Sequence, residues 1–579
     1  MIDSIPRQFM HWASVKPEAT AYAVKADGNW ETTNWADYVA QVRLAARGFM
    51  SLGLEKGQAV GIMGFNRPQW TISDLAAMSS GGTPVGVYSS CSAEQVRYIL
   101  GHACARIAVV EWGPVLEKVL SVREALPDLE HVVVMNPEDP GATDERYMSW
   151  TQLLERGRDI PDEDLEARLE GIQPQDLGTL IYTSGTTGPP KGSMLTHKNL
   201  VAATKMGREL LPDVVREDAR MLSYLPMAHA AERALTLLAP AAFGVAIYYA
   251  ESIEKMPQNL VEVQPDVFLG VPRVWEKIHA GLTSKLAKAT GTKAKVAAWS
   301  RAVGLAYHTA QAQGHPIGPV LKMQYALASR LLFRRIRAVL GLSRAQVLLT
   351  GAAPISLEVL SDLASLDLPL REVYGQTEGS GPTTNNRPGE TRWGSVGRPF
   401  RGSEVRIAED GEILIRGDHV FLGYFQDPAE TAEVLKDGWL YSGDLGHLDE
   451  DGYLYVTGRK KEILITAGGK NISPRNIEEA IKSSPLVEEA VVIGDRRRFL
   501  SALIVLDPKS QVDRSQAKSL IWEHVESVNR RLSKVEQIKK IALLPGSLTV
   551  EAGELTPTLK VRRSAIRERY SDEIEALYA

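Results

Sequence analysis

Through the first 350 residues, short apolar runs alternate with stretches of helical period, and few folds accommodate that alternation. Ala59-Val-Gly-Ile-Met, Ile107-Ala-Val-Val, His131-Val-Val-Val-Met, Thr179-Leu-Ile-Tyr-Thr and Gln346-Val-Leu-Leu-Thr are each bounded by polar residues or glycine. Runs this short and apolar suit strands buried on both faces. Between them, residues 35–53 and 93–102 repeat their apolar positions at helical spacing. The pattern predicts an α/β fold whose sheets are covered on both sides by helices.

From about Ser395 the texture changes. Gly411-Glu-Ile-Leu-Ile-Arg-Gly and Gly452-Tyr-Leu-Tyr-Val-Thr-Gly are glycine-closed strands, each preceded by an acidic turn, which predicts a β-rich subdomain of hairpins. Beyond Arg459-Lys460-Lys461 the pattern is α+β, with helices expected over 476–484 and 517–535 and strands over 487–493 and 502–506. The expected division is a large multi-subdomain N-terminal α/β domain over 1–458, a hinge at 459–461 and a small mobile C-terminal domain over 462–579. At 579 residues the chain is long enough for several folding units.

Charge excludes one class of partner. With 66 Lys and Arg against 71 Asp and Glu, the formal charge is -5, so bulk nucleic-acid binding is not expected. Two cysteines, Cys91 and Cys104, cannot frame a disulfide scaffold, which fits a reducing cytoplasm. The first residues lack a basic flank and apolar core, so no signal peptide is expected. The charge-free stretch 234–250 is shorter than the ~20 residues of a membrane-spanning helix and contains Pro240 and Gly244. It reads as a buried helix followed by a buried strand.

One loop carries chemistry. Tyr182-Thr-Ser-Gly-Thr-Thr-Gly-Pro-Pro-Lys-Gly192 follows an apolar strand and holds three glycines, four hydroxyl residues and one lysine. Glycines let backbone N–H groups approach phosphate, hydroxyls donate to it and Lys191 offsets its charge. Composition alone fits a flexible Ser/Gly surface loop equally well. Pro190 before the lysine departs from the P-loop pattern of nucleoside triphosphatases.

The loop resembles the signature segment of the adenylate-forming superfamily of acyl-CoA synthetases, adenylation domains and luciferases. Six further segments resemble that family's motifs in the same order: Leu225-Pro-Met-Ala-His229, Gly351-Ala-Ala-Pro354, Tyr374-Gly-Gln-Thr377-Glu378, Tyr441-Ser-Gly-Asp444, Gly458-Arg459-Lys-Lys461 and Leu555-Thr-Pro-Thr-Leu-Lys560. The resemblance implies that ATP is held by Thr183, Ser184, Gly185, Thr186, Thr187, Gly188 and Lys191 of the loop. It adds Gly351, Ala352 and Ala353 on the adenine side, then Tyr374, Gly375, Gln376 and Thr377, with Asp444 and Arg459 at the ribose. Mg²⁺ is implied at Glu378 with Thr183. Lys560, Thr377, Glu378 and His229 are the implied catalytic group, and Lys461 marks the implied hinge.

A lysine in the place of Lys560 suits the chemistry, because an anionic carboxylate must approach an anionic phosphate. The expected reaction converts a carboxylic acid to acyl-AMP, then transfers the acyl group to CoA, with Gly468, Gly469 and Arg496 as the CoA-binding residues. The segments around His229 and Trp275 resemble long-chain, bubblegum-type fatty acyl-CoA synthetases, and 235–249 is expected to line an apolar tunnel. Residues 330–337 read as a basic amphipathic helix that docks on anionic membranes or packs on a core; no obligate protein partner is expected. Rival readings are another acid, delivery to a carrier protein, or lipid or nucleotide binding without turnover.

Overall fold

A computed structural model describes residues 4–136, 144–183, 189–210, 218–467, 470–508, 510, 512–556 and 560–579. The alternating sequence builds two large sheets. In the first, the spatial order is Arg398–Pro399, Gly381–Asn385, Arg371–Gln376, Val347–Thr350, Val267–Gly270, Arg220–Ser223, Ala246–Tyr249, Thr20–Ala26 and Asn29–Asn34. Pairing is parallel through its interior and antiparallel at both edges. The second sheet orders Gly423–Tyr424, Lys191–Thr196, Leu177–Thr183, Thr83–Val87, Ala59–Met63, Ala105–Val110, His131–Val134 and Met148–Ser149. All five residues of Ala59–Met63 are buried, as a strand covered on both faces requires.

Local signals start the helices. Asn34 caps Trp35–Ser51 by accepting from the Asp37 N–H at 2.8 Å, and Ser92 with Gln95 forms a capping box at Ala93–His102. One continuous core takes in Phe9, Trp35, Phe49 and Trp70, all fully buried. Burying each such ring contributes roughly 2–3 kcal/mol. The stretch after Arg233 forms a π-helical turn Ala234–Leu238, a short helix Ala239–Phe243 and the buried strand Ala246–Tyr249. Among the described residues no helix is long and apolar enough to cross a membrane.

Between the parallel strands Val267–Gly270 and Val347–Thr350 the chain makes a long helical crossover, Pro272–Ala287, Gly291–Ala312, Pro319–Ala328, a π-helical turn Ser329–Phe333 and Arg334–Leu340. Buried Asp367 ties it down. Its carboxylate accepts from His308 Nε2 at 2.8 Å, Tyr325 Oη at 2.5 Å and Arg337 Nε at 2.8 Å. Three separate helical segments thereby share one anchor.

The β-rich subdomain is an antiparallel sheet of Ser403–Ile407, Glu412–Gly417, Trp439–Leu448, Leu435–Lys436 and Leu454–Arg459. The smaller C-terminal domain has a three-stranded sheet, Val487–Ile493, Leu500–Leu506 and Ile538–Leu543, with its own core around Ile481, Ile504, Ile521 and Val525. Its long helix runs Arg514–Asn529, stopping short of the expected end at 535. The cause is non-local: the Asn529 amide donates to the Ile538 carbonyl and accepts from the Ile538 N–H, both at 2.9 Å.

Candidate functional site

Asp444 and Arg459 face each other in register on neighbouring strands, Trp439–Leu448 and Leu454–Arg459. Arg459 Nε reaches Asp444 Oδ1 at 2.9 Å, and Tyr374 Oη donates to Asp444 Oδ2 at 2.8 Å. Burial and the Asp444 charge push the Tyr374 phenol well above its ordinary pKa, so it stays a donor. Asp444 Oδ2 thus already accepts one hydrogen bond, and Oδ1 faces the guanidinium charge. A ribose would have to use the remaining lone pairs, a tighter geometry than an unengaged carboxylate offers.

Close backbone approach explains the neighbouring small residues. A Cβ on Gly375 would lie 1.9 Å from the Gly381 carbonyl oxygen, and one on Gly351 would lie 2.8 Å from Val373 Cγ2. Ala352 follows with φ 65°, a left-handed conformation that costs a non-glycine residue about 1–2 kcal/mol. The Gln376 side-chain nitrogen is buried without a hydrogen-bond partner among the described residues.

Thr377 and Glu378 open a single 3₁₀ turn, Thr377–Gly379. Glu378 Oε1 accepts from Tyr424 Oη at 2.8 Å, and its carbonyl accepts from the Phe421 N–H at 2.8 Å. Among the described residues no group of three or more His, Cys, Asp or Glu could hold a metal ion. A lone carboxylate fits magnesium only where phosphate oxygens and water complete the shell.

The expected phosphate loop is described at its two ends. Thr183 and Lys191 pair in register across the hairpin of Leu177–Thr183 and Lys191–Thr196; Ser184, Gly185, Thr186, Thr187 and Gly188 lie outside the described residues. Lys191 is ion-paired with Glu430 and stands 5.3 Å over the Tyr424 ring.

In the segment expected to border the acyl group, His229 Nδ1 accepts from the Ala231 N–H at 3.1 Å and so caps the helix Ala230–Arg233. That bond puts the ring proton on Nε2. Burial, helped by Lys560, pushes the imidazole down to about 4, so it is neutral at physiological pH. Glu232 is fully buried and accepts from Ser223 Oγ at 2.7 Å, Thr236 Oγ1 at 2.6 Å and the Leu225 N–H at 3.1 Å. Burial pushes its carboxyl up to about 7 despite those donors. Arg233 pairs with buried Asp74 at 2.6 Å. Leu237 and Leu238, from the expected tunnel stretch, line a cavity with Ile181, Leu200 and Ser380, but its volume of about 10 Å³ admits one water and no acyl chain. Trp275 belongs to the core instead: it is fully buried, and Nε1 donates to the Leu349 carbonyl at 3.0 Å.

Lys560 enters from the C-terminal domain. Its backbone is fixed by a turn in which its N–H donates to Thr556 Oγ1 at 3.0 Å and its carbonyl accepts from the Thr556 N–H at 2.8 Å. The residue is exposed, yet protein groups crowd its ammonium. That crowding, then Arg459 and Arg475, push its ammonium down to about 8, against Asp444 and Glu462. Lys460–Glu462 form one 3₁₀ turn directly after Arg459, with Lys461 exposed. Beyond it Ser473 Oγ donates to the Thr457 carbonyl at 2.7 Å.

Gly468 and Gly469 lie outside the described residues. Arg496 is exposed with φ 57°, its N–H donating to the Ile465 carbonyl at 2.7 Å. Neighbouring Arg497 is bound to Glu575 and stacks 4.7 Å from the Tyr578 ring. The basic run therefore closes a turn within its own domain. Sequence reasoning missed Tyr424, Glu430, Glu462, Arg475 and Asp74. Each acts through a partner distant in sequence, and no local pattern sets it apart.

Comparison with known proteins agrees with this architecture. Residues 9–425 match the family model described as AMP-binding enzyme, and residues 461–579 match that of the AMP-binding enzyme C-terminal domain. The chain is 35% identical to long-chain-fatty-acid–CoA ligase ACSBG2 of Xenopus laevis, over 99% of this chain and 84% of that protein. It is 36% identical to long-chain-fatty-acid–CoA ligase FadD15 of Mycobacterium bovis, over 97% of this chain and 95% of that protein. A solved structure of the anthranilate CoA ligase AuaEII in complex with anthranoyl-AMP superposes with a TM-score of 0.75 at 20% identity, covering 99% of this chain and 98% of that one. At that identity the likeness concerns the fold.

Proposed function

We propose, for a chain that belongs to the AMP-binding enzyme family, an ATP-dependent ligase that activates a long-chain fatty acid as acyl-AMP and passes the acyl group to CoA. The observation that carries the reading is that Lys560 lies near enough to feel charge from one side and exert it on the other. Its charge acts on His229, at the segment read as the acyl side, and it is itself acted on by Asp444 and Arg459, read as the ribose side. A cation there bridges the two reacting anions.

In the first step a carboxylate oxygen attacks the α-phosphorus, the bond to the β-phosphate oxygen breaks, and pyrophosphate leaves. No proton need move, so neutral His229 acts as a donor through Nε2 and not as a base. Lys560 offsets the repulsion between the two anions and sets the line of approach. Thr377 donates to the α-phosphate as its charge grows, Tyr374 stacks on adenine, and the 182–192 loop holds the departing phosphates. Glu378, with Thr183, would hold magnesium, which when bound neutralises phosphate charge. In the second step the CoA sulfur attacks the acyl carbonyl, AMP leaves, and the thiol proton passes to solvent. The domain arrangement proposed for this family member is an N-terminal unit to 458 and a C-terminal unit from 462 that turns about 459–461 to exchange Lys560 for the Gly468-Gly469 segment.

A long acyl chain needs more room than the cavity beside Leu237 and Leu238 provides. The π-helical turn Ala234–Leu238 forms one wall there, and such turns occur often at functional sites, so it is the wall assigned to yield to the chain. The test is pyrophosphate release with short, medium, long-chain and aryl acids, with and without CoA. Long-chain acids should give the highest rates, and acyl-CoA should appear only with CoA. Release without any acid would overturn the ligase reading; highest rates with short or aromatic acids would overturn the choice of acid.

A further inference from the structure

From residue 277 to residue 357 the chain contains twelve Lys and Arg and no Asp or Glu, although the whole molecule carries -5. This acid-free stretch covers nearly all of the helical crossover. Its inner face is settled: Ala328, Phe333 and Ile336 are buried, and His308, Tyr325 and Arg337 converge on Asp367. Arg337, one of the cations expected on an outward basic helix, is therefore turned inward.

The outer face has the opposite character. Val320 is 62% exposed, Met323 69%, Leu327 50% and Leu331 43%. At spacings of three and four residues they form one apolar stripe. Lys322, Arg330, Arg334 and Arg335 flank or end that stripe, all exposed and without an ion pair among the described residues.

We propose that the outer face of Pro319–Leu340 is a docking surface for an anionic lipid bilayer, with the apolar stripe entering the acyl boundary and the flanking cations meeting lipid phosphates. Interfacial helices bind in this way, their affinity combining buried apolar area with attraction to anionic headgroups. Long basic side chains suit the position, because their stems lie along apolar surface while their heads reach phosphate. A soluble polyanion would leave the apolar stripe exposed. A second copy of this chain would set Arg330, Arg334 and Arg335 against cations of its own kind. The inward anchor at Asp367 makes the face rigid before it meets a membrane, so little ordering cost attends docking.

Flotation of the full chain on density gradients tests this without reference to turnover, so its failure is separable from failure of the ligase reading. Vesicles of phosphatidylcholine alone are compared with vesicles containing about one-third phosphatidylglycerol. The protein should float with the anionic vesicles only, and raised salt should release it. The triple variant Arg330→Ala, Arg334→Ala, Arg335→Ala should lower partition by roughly a hundredfold. Met323→Glu with Leu327→Glu should abolish it, with melting temperature unchanged in both. Absence of flotation, equal flotation with neutral vesicles, or wild-type flotation of both variants would overturn the proposal. So would a concentration-dependent dimer that Met323→Glu with Leu327→Glu dissolves while no vesicle binding is seen.

Discussion

A lysine pushed down to about 8 loses part of its charge just above neutral pH, and the proposed mechanism uses Lys560 only while it is charged. The free-enzyme rate of acyl-AMP formation, kcat/KM, should therefore fall as pH rises through about 8. Lys560→Arg should remove that limb, because a guanidinium does not titrate there. Lys560→Ala should cut acyl-AMP formation on the order of a thousandfold while sparing thioester formation from supplied acyl-AMP. Equal loss in both half-reactions would show that the lysine serves folding and not the first step. Lys560 was legible as a candidate through its Leu-Thr-Pro-Thr-Leu-Lys context, but its depressed pKa was not. That depends on burial, then on Arg459 and Arg475, which only the folded chain brings near.

At the scale of elements, the crossover hangs on Asp367. Its carboxyl is held below its ordinary range by His308 and Arg337, against burial. A depressed carboxylate contributes stability above its ordinary pKa and loses it as pH falls below that range, so acid should loosen these helices first. Asp367→Ala takes the carboxylate from buried His308 and half-buried Arg337, which keeps its backbone carbonyl acceptors, and should cost about 3 kcal/mol in equilibrium unfolding. A melting temperature unchanged by the substitution would refute the anchor. Strand Val487–Ile493 was legible residue for residue, because its apolar run is bounded on both sides by turn residues. The helix ending at Asn529 was not, since its stop is a side-chain clamp on Ile538 rather than a local breaker. Residues 330–337 were legible as basic and helical. Which cations face outward was decided by Asp367, 30 residues beyond Arg337.

Across the whole molecule, the domains meet through Arg273 and Glu488 at 3.0 Å. Nearby Glu276 is pushed from 4.5 up to about 6 by burial and by Glu479 and Glu489, with Lys482 and Arg273 opposing. A carboxyl raised in the docked arrangement favours docking while protonated, and that advantage fades as pH rises from 4.5 through about 6. Glu276→Gln should accordingly hold the domains in this arrangement at neutral pH. Single-turnover kinetics should register thioester formation slowed severalfold with acyl-AMP formation preserved; a faster second step would contradict the sign. Lys461→Pro, which fixes φ in the turn Lys460–Glu462, should likewise spare the first half-reaction and cripple the second. Both steps remaining intact would remove the hinge.

Arg459, ion-paired with Asp444, is the last residue of its strand before that turn, so in the proposed mechanism the side chain assigned to the sugar is also the root of the arm that turns. Whatever sits on Asp444 would then work as a latch as well as a ligand. A small molecule built to capture Asp444 and Arg459 together would jam the machine at its axle, without filling the acyl pocket at all.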